Sequence, residues 1–324
     1  MHRYFARRPW SVFNELIRHY SNPGSIILDP FCGGGVTVVE GLRLRRKVIG
    51  VDLNPMATFI TRMEVIDVDL NELKRAFSKI EKAVKDEIQQ LYLTICPKCK
   101  KETPAEWFEW SYIYECPNCK KEVQLSQAKK LSGGKYECGH CHETFKLVDA
   151  KRSGETPIRL KVNCEHCGFK GEKKPEDYDF KKVEWIEKNF EKIIKQRKLW
   201  YPRDQIPLGA ETRRLILRNY KYFYEMFTHR NLLALCFIYN YIQKFQKSLN
   251  LYLLLSSTFT ATLDYSSRIS RVVQGQGREI TTHTFWPPDL PAENNVWSAW
   301  IKRCNAVIKG KFYSQKEIGN YYQE

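Results

Sequence analysis

Two groups of residues in this 324-residue chain have the types and spacing to do chemistry. The first is Asp29-Pro30-Phe31-Cys32-Gly33-Gly34-Gly35, followed 23 residues after Asp29 by Asp52, with Asn54-Pro55 close behind. A tight turn of glycines lets the backbone approach a nucleotide-like ligand closely. A carboxylate at the end of the next strand can then accept hydrogen bonds from ribose hydroxyls. The second group is four Cys-x-x-Cys pairs: Cys96 with Cys99, Cys116 with Cys119, Cys138 with Cys141, and Cys164 with Cys167. Two such pairs can give four thiolates to one tetrahedral ion.

The elements that must position these residues follow from periodicity and breakers. Pro9 fits the first turn of a helix with Val12, Phe13, Leu16, Ile17 and Tyr20 on one face, and Asn22-Pro23-Gly24 ends it. A strand over 25–28, a helix over 36–44, a strand over 47–51 and a helix from Pro55 to Met63 come next. Asp69 and Glu72 form a capping-box pattern before a long helix reaching about Tyr92, with Leu73, Phe77, Ile80, Val84, Ile88 and Leu91 in its apolar stripe. Residues 96–167 hold short β-like stretches and many lysines. Helical patterning returns from Asp177, and Thr228 reads as the cap of a further helix. Residues 256–300 show no clear periodicity.

Composition bounds the class. Hydrophobic content of 43% is globular, and the length suffices for two or three domains. Lys plus Arg is 53 against 37 Asp plus Glu, giving +16, which favours a polyanionic partner. No stretch reads as a signal peptide and no apolar run is long enough for a membrane span. Eight of eleven cysteines in Cys-x-x-Cys pairs point to metal in a reducing cytoplasm rather than to disulfides.

The cysteine pairs are expected to hold about two structural zinc ions, because the region is poor in apolar residues for a core of its own. Pairing the first knuckle with the second and the third with the fourth is the simpler assignment. A nested pairing, first with fourth and second with third, is also compatible, and an iron–sulfur cluster is an alternative to zinc. His140, His142 and His166 could substitute for a thiolate as ligands, but they read as surface residues. Lys98, Lys100, Lys101, Lys120, Lys121, Lys129 and Lys130, together with Arg268, Arg271 and Arg278, suggest phosphate contacts.

Asp-Pro-Phe-x-Gly-x-Gly resembles the S-adenosylmethionine loop of the DNA amino-methyltransferases, which modify N6 of adenine or N4 of cytosine. The dinucleotide pattern Gly-x-Gly-x-x-Gly and the lysine of a phosphate loop are both absent. The resemblance implies that Asp29, Pro30, Phe31, Gly33 and Gly35 cradle the methionine part of the cofactor. It also implies that Asp52 binds the ribose and that Asn54 shapes the loop beneath the adenine. Tyr4 or Phe5, in the segment before the loop, either packs on the ligand or simply anchors the chain. Glu225-Met226-Phe227-Thr228-His229-Arg230-Asn231-Leu232-Leu233-Ala234-Leu235 and the stretch from Phe285 to Trp297 resemble segments of large zinc-ribbon-containing adenine-specific DNA methylases.

That family's reactive motif is Asp/Asn/Ser-Pro-Pro-Tyr/Phe, which holds the target amine and stacks on the flipped base. The chain's Pro-Pro, in Trp286-Pro287-Pro288-Asp289, lacks both the polar residue and the aromatic and reads as a loop. The catalytic residues are therefore unknown. The expectation is an α/β chain: a partial Rossmann-like S-adenosylmethionine-dependent methyltransferase fold over 1–92, two zinc ribbons over 93–175, and a helical and mixed region over 176–324 for DNA recognition. It reads as a split subunit or truncated product whose catalytic motif lies on a second polypeptide. The alternatives are an RNA guanine-N2 methyltransferase and a non-catalytic zinc-ribbon DNA-binding protein with a relic methyltransferase fold.

Overall fold

The computed structural model describes residues 2, 4, 6–273, 277–280 and 287–319. In chain order the elements begin with α1 (Trp10–Tyr20), β1 (Ile26–Asp29), α2 (Val36–Arg43), β2 (Lys47–Gly50), α3 (Pro55–Val65) and α4 (Leu70–Leu91). A β-rich stretch follows: β3 (Leu93–Ile95), β4 (Glu102–Glu115), β5 (Glu122–Gln124), β6 (Lys129–Lys130), β7 (Lys135–Glu137), β8 (Thr144–Lys146), β9 (Lys151–Asn163) and β10 (Lys170–Lys173). The remainder is α5 (Asp177–Gln196), α6 (Arg213–Ile216), α7 (His229–Ile242), α8 (Leu249–Ser266), β11 (Ser270–Val273), β12 (Gly277–Ile280), β13 (Ala292–Asn294) and α9 (Val296–Ile318). The chain is mixed α/β and ends in helical structure. It divides into two units, Met1–Ala83 with Tyr241–Thr262 and Trp300–Glu324, and Val84–Asn240 with Leu263–Ala299. Among the described residues no helix is long and apolar enough to cross a membrane.

In the first unit β1 and β2 form a two-stranded parallel sheet, Ile26 opposite Lys47 through Asp29 opposite Gly50. Parallel strands need a crossover, and α2 is that crossover. It covers one sheet face with Val38 and Leu42, which pack with Cys32, Val48 and Ile318. The other face carries Ile26, Leu28, Ile49 and Val51, between 49% and 68% exposed. The predicted stripe of α1 is only partly buried. Ile17 is inside, but Val12, Leu16 and Tyr20 are exposed, and the inward polar position is Asn14, which donates to Glu40 at 2.6 Å. Lys311 of α9 is fully buried, its ammonium donating to the carbonyls of Met63, Glu64 and Ile66 at the C-terminal end of α3. A cation there satisfies acceptors that the helix leaves open.

The second unit is built on a sheet in the order β10-β9-β4-β13, with β3 and β5 also pairing β4. Its two long antiparallel strands correct the expectation of short β stretches. The run Trp107–Tyr114 is buried on both faces, and three register irregularities interrupt its ladder with β9. The same region has a core, contrary to expectation: Tyr112, Tyr114, Val123, Leu125, Tyr136, Phe145 and Leu147 pack together.

Thr228 caps α7 as predicted, its Oγ1 accepting the Asn231 N–H at 3.1 Å. Residues 256–300 are more regular than their sequence suggests, since α8 runs to Ser266 and α9 starts at Val296. Here the two resemblance segments meet in one buried network. Glu293 accepts from Thr228 and from Trp110 Nε1, and lies 3.5 Å from Arg230. Asn231 accepts from the Tyr92 hydroxyl at 2.6 Å, while Asn295 donates to Gln89 and to the Ala105 carbonyl.

Candidate functional site

The glycine turn sits between β1 and α2, where a strand feeding a crossover helix must reverse in few residues. Gly33 and Gly35 have φ of +49° and +80°, conformations that side chains disfavour. Space is short as well. A Cβ at Gly33 would lie 3.1 Å from the Tyr4 ring, and one at Gly35 would lie 2.8 Å from Thr61 Oγ1. Asp29 Oδ1 accepts the Phe31 N–H at 3.0 Å and so closes the first bend.

Asp52 joins the second strand to the turn. Its Oδ2 accepts the Gly33 N–H at 2.8 Å and its Oδ1 the Asn54 N–H at 2.9 Å. Asn54 in turn caps α3, accepting the Met56 N–H at 3.0 Å. A carboxylate offers about four acceptor positions, so Asp52 keeps capacity for a diol. Phe31 and Pro30 project into solvent, Phe31 with 85% of its surface exposed. Asp29, Phe31, Gly33, Gly35, Asp52 and Asn54 thus gather around one turn, with Tyr4 against it. Phe5 lies outside the described residues.

Two residues that sequence reasoning passed over hold this turn. Thr61 donates to the Gly33 carbonyl at 3.2 Å, and the Arg7 stem would lie 3.2 Å from a Cβ on Gly34. Arg7 also pairs with Glu64, whose carboxyl is pushed up by burial against the pull of that arginine. A threonine in a mostly apolar helix and an arginine beside a sought-after tyrosine were the available signals. The large cavity of this unit, about 1090 Å³, adjoins the turn from the side of α3. Cys32, Thr61 and Gly50 line it, and none of the predicted cofactor residues does.

The eight cysteines form two tetrads, and the pairing is nested. Cys96, Cys99, Cys164 and Cys167 are one set, and Cys116, Cys119, Cys138 and Cys141 the other. The sequential assignment is therefore corrected. The reason is the antiparallel pairing of β4 with β9, which brings the first knuckle beside the fourth and leaves the second and third at the opposite end.

Each knuckle is the tip of a β-hairpin, and all four share one backbone plan. The first cysteine's carbonyl accepts the N–H four residues on, at 2.9–3.0 Å, from Lys100, Lys120, His142 and Gly168. Those four residues have φ of 59°, 62°, 61° and 68°. The cross-pair Sγ distances are 3.6 and 3.7 Å in one tetrad and 3.8 and 3.7 Å in the other. A tetrahedral ion with zinc–sulfur bonds of ~2.3 Å needs sulfurs roughly 3.8 Å apart, so the donor sets fit zinc.

Burial opposes ionisation of Cys96, yet the amides of Cys99 and Lys98 outweigh it and draw the thiol down to about 6. Cys141, chiefly through the Glu143 amide, is also drawn to about 6. Cys119 and Cys167 move the other way, to about 11, against their own amide donors, because burial and the neighbouring sulfurs disfavour further charge. A bound dication relieves that repulsion. His140 faces the Glu122 carbonyl and His142 the Glu137 carboxylate, so neither is a ligand.

The proposed phosphate contacts are altered by what the structure pairs. Arg268 makes a two-pronged contact with Glu155 and is committed inside the protein. Arg271 is exposed at the surface, and the Arg278 side chain lies outside the described residues. Lys120, Lys129 and Lys130 pair with Glu115, Glu137 and Asp289, whereas Lys98, Lys100, Lys101 and Lys121 make no ion pair among the described residues. Asp289, from the Pro-Pro loop, also accepts from Tyr136 and Arg218, so this loop ties down the β6-β7-β8 sheet.

Residues 2–61 match the N6_N4_Mtase family of DNA methylases. The matched span begins just ahead of α1 and ends at Thr61, so it contains the whole turn with Asp29, Asp52 and Asn54. The chain is 30% identical over 74 residues to Type II methyltransferase M.MvaI of Kocuria varians, covering 23% of this chain and 16% of that protein. It is 37% identical over 67 residues to Type II methyltransferase M.MjaII of Methanocaldococcus jannaschii, covering 21% and 12%. Over 49 residues it is 37% identical to Type II methyltransferase M.EcaI of Enterobacter cloacae, covering 15% and 11%. The chain therefore matches 16% or less of the length of each of these relatives. No solved structure matches it.

Proposed function

We propose that the chain is the S-adenosylmethionine-binding and DNA-recognition part of a DNA amino-methyltransferase, with N6 of adenine favoured over N4 of cytosine. The observation that carries this is the coincidence of the DNA methylase match with the β1–turn–α2–β2 unit and its bracing acid. The unit is the opening of a Rossmann-like sheet. Gly33–Gly35 present backbone to the methionine part of the cofactor, Asp52 takes the ribose hydroxyls, and Asn54 holds the loop below the adenine. The bound cofactor supplies an electrophilic methyl group. Residues 1–92 serve it, 93–175 hold two structural zinc ions, and 176–324 contribute to DNA recognition in the cytoplasm.

These 324 residues contain no Asp-Pro-Pro-Tyr-type motif, so a second polypeptide is assigned the task of holding the target amine. Support comes from the sheet. Parallel sheets are covered on both faces, yet Ile26, Leu28, Ile49 and Val51 are exposed and the outer edge of β1 is unpaired among the described residues. Additional strands and helices satisfy both needs.

The test uses purified chain and labelled S-adenosylmethionine. The chain should bind the cofactor, fail to methylate DNA by itself, and gain turnover when a protein carrying an Asp-Pro-Pro-Tyr-type motif is added. Turnover by the chain alone would place the catalytic residues within it. Absence of cofactor binding would leave a zinc-ribbon DNA-binding protein with a relic fold.

A further inference from the structure

The first unit carries a recess of about 200 Å³ walled by Arg75 and Lys79 of α4 and by Lys244 and Lys247 of the segment joining α7 to α8. Arg75 and Lys79 lie one helical turn apart and share a face. Glu72 is the single carboxylate of the lining, against these four cations. Arg75 is only 3.8 Å from Asp69 at the rim, and the Lys244 ammonium lies 4.3 Å from the centre of the Tyr241 ring. Lys79 and Lys247 make no ion pair among the described residues.

Folding has thus gathered like charges from two distant stretches of chain into one concavity. Asp69 and Glu72 offset only part of their repulsion, and a concave cationic wall focuses the field and concentrates an anion. The recess is too small for a nucleotide, and apart from Ser248 its lining offers charge rather than neutral hydrogen-bonding groups. Such a surface holds a phosphate without reading a base. Glu72, Ser248 and Leu251 also line the 1090 Å³ cavity that reaches Cys32 inside the glycine turn.

We propose that this recess grips the phosphodiester backbone of DNA. The inference rests on the DNA-modifying function proposed above, and it moves backbone contact away from the zinc region alone. The contact is independent of sequence, so it fixes register and leaves discrimination between sites to other residues.

The test is fluorescence anisotropy of labelled duplexes of several sequences against the full chain, over a series of salt concentrations. In Lys79→Ala/Lys247→Ala the slope of log affinity against log salt should fall by about two, one for each phosphate no longer neutralised. Weakening should be equal for every duplex, with cofactor affinity and zinc content as in the wild type. A double variant that keeps the wild-type slope overturns the proposal while leaving the proposed function standing. Loss of inorganic phosphate binding in that variant with DNA affinity intact makes the recess a small-anion site and also overturns it. A wild-type chain that binds no duplex removes the DNA-modifying function itself.

Discussion

Asp52 holds the Gly33 amide at 2.8 Å, so the acid assigned to the ribose is also the brace of the glycine turn. One carboxylate thereby sets the height of the loop and, in the proposed role, also meets the ligand. Asp52→Ala should weaken S-adenosylmethionine by about 1.5–3 kcal/mol, the worth of a charge-assisted hydrogen bond. Asp52→Asn keeps one acceptor oxygen and should fall between. Calorimetry is the check, and an unchanged affinity in Asp52→Ala would remove Asp52 from the site.

The nested tetrads make the metal prediction specific. Freshly prepared protein should hold about two zinc ions, four thiolates to each. Cys116→Ser should lose one ion and expose the core of Tyr112, Val123, Tyr136 and Phe145, while the Cys96–Cys167 set keeps its metal. Metal analysis with hydrogen exchange reads both effects. Under the sequential pairing the same substitution would instead disturb Cys96 and Cys99.

These cases show which parts were readable. The stripe of α4 was legible because a 3.6-residue period survives wherever one face is buried, and Leu73, Ile80 and Ile88 are fully inside. The strand β4 was not, because Trp107–Tyr114 is covered on both faces and so lacks the alternation that marks a half-buried strand. The cysteine spacing specified four knuckles. Their partners were set by the β4–β9 ladder, a long-range pairing that local spacing does not encode. The Phe-Thr-x-Arg segment stood out by resemblance, yet only the fold reveals that Arg230 lies against Glu293.

Burial draws the Lys311 ammonium down to about 8, against the pull of Asp67 and Glu64. The unfolded chain keeps its lysines near 10.4. Between those values the unfolded state binds more protons, so this group makes folding more favourable as pH rises from about 8 to 10. The gain approaches about 1.4 kcal/mol per pH unit within that window. Thermal melts of wild type and Lys311→Met across pH 7–10 isolate the effect. The wild type should gain stability relative to the variant on going from pH 8 to 10, and parallel curves would contradict it.

Arg268 should act on stability and not on DNA. Its guanidinium is largely buried against Glu155, and removing one partner of such a pair leaves the other desolvated. Arg268→Ala should cost roughly 3–5 kcal/mol in urea unfolding. The salt dependence of DNA binding should stay the same. A reduced salt slope with unchanged stability would restore this residue to the phosphate-contacting set.

The nested pairing also has a temporal meaning. As the chain leaves the ribosome, its inner four sulfurs are all present once Cys141 has emerged, but the outer four are complete only after Cys167. Closing the inner loop first shortens the span that the outer ion must still bridge, which lowers the entropy lost at that second closure. Metal should therefore enter from the inside outward. A chelator should remove it in the opposite sequence, opening the outer gate while the inner clasp still holds.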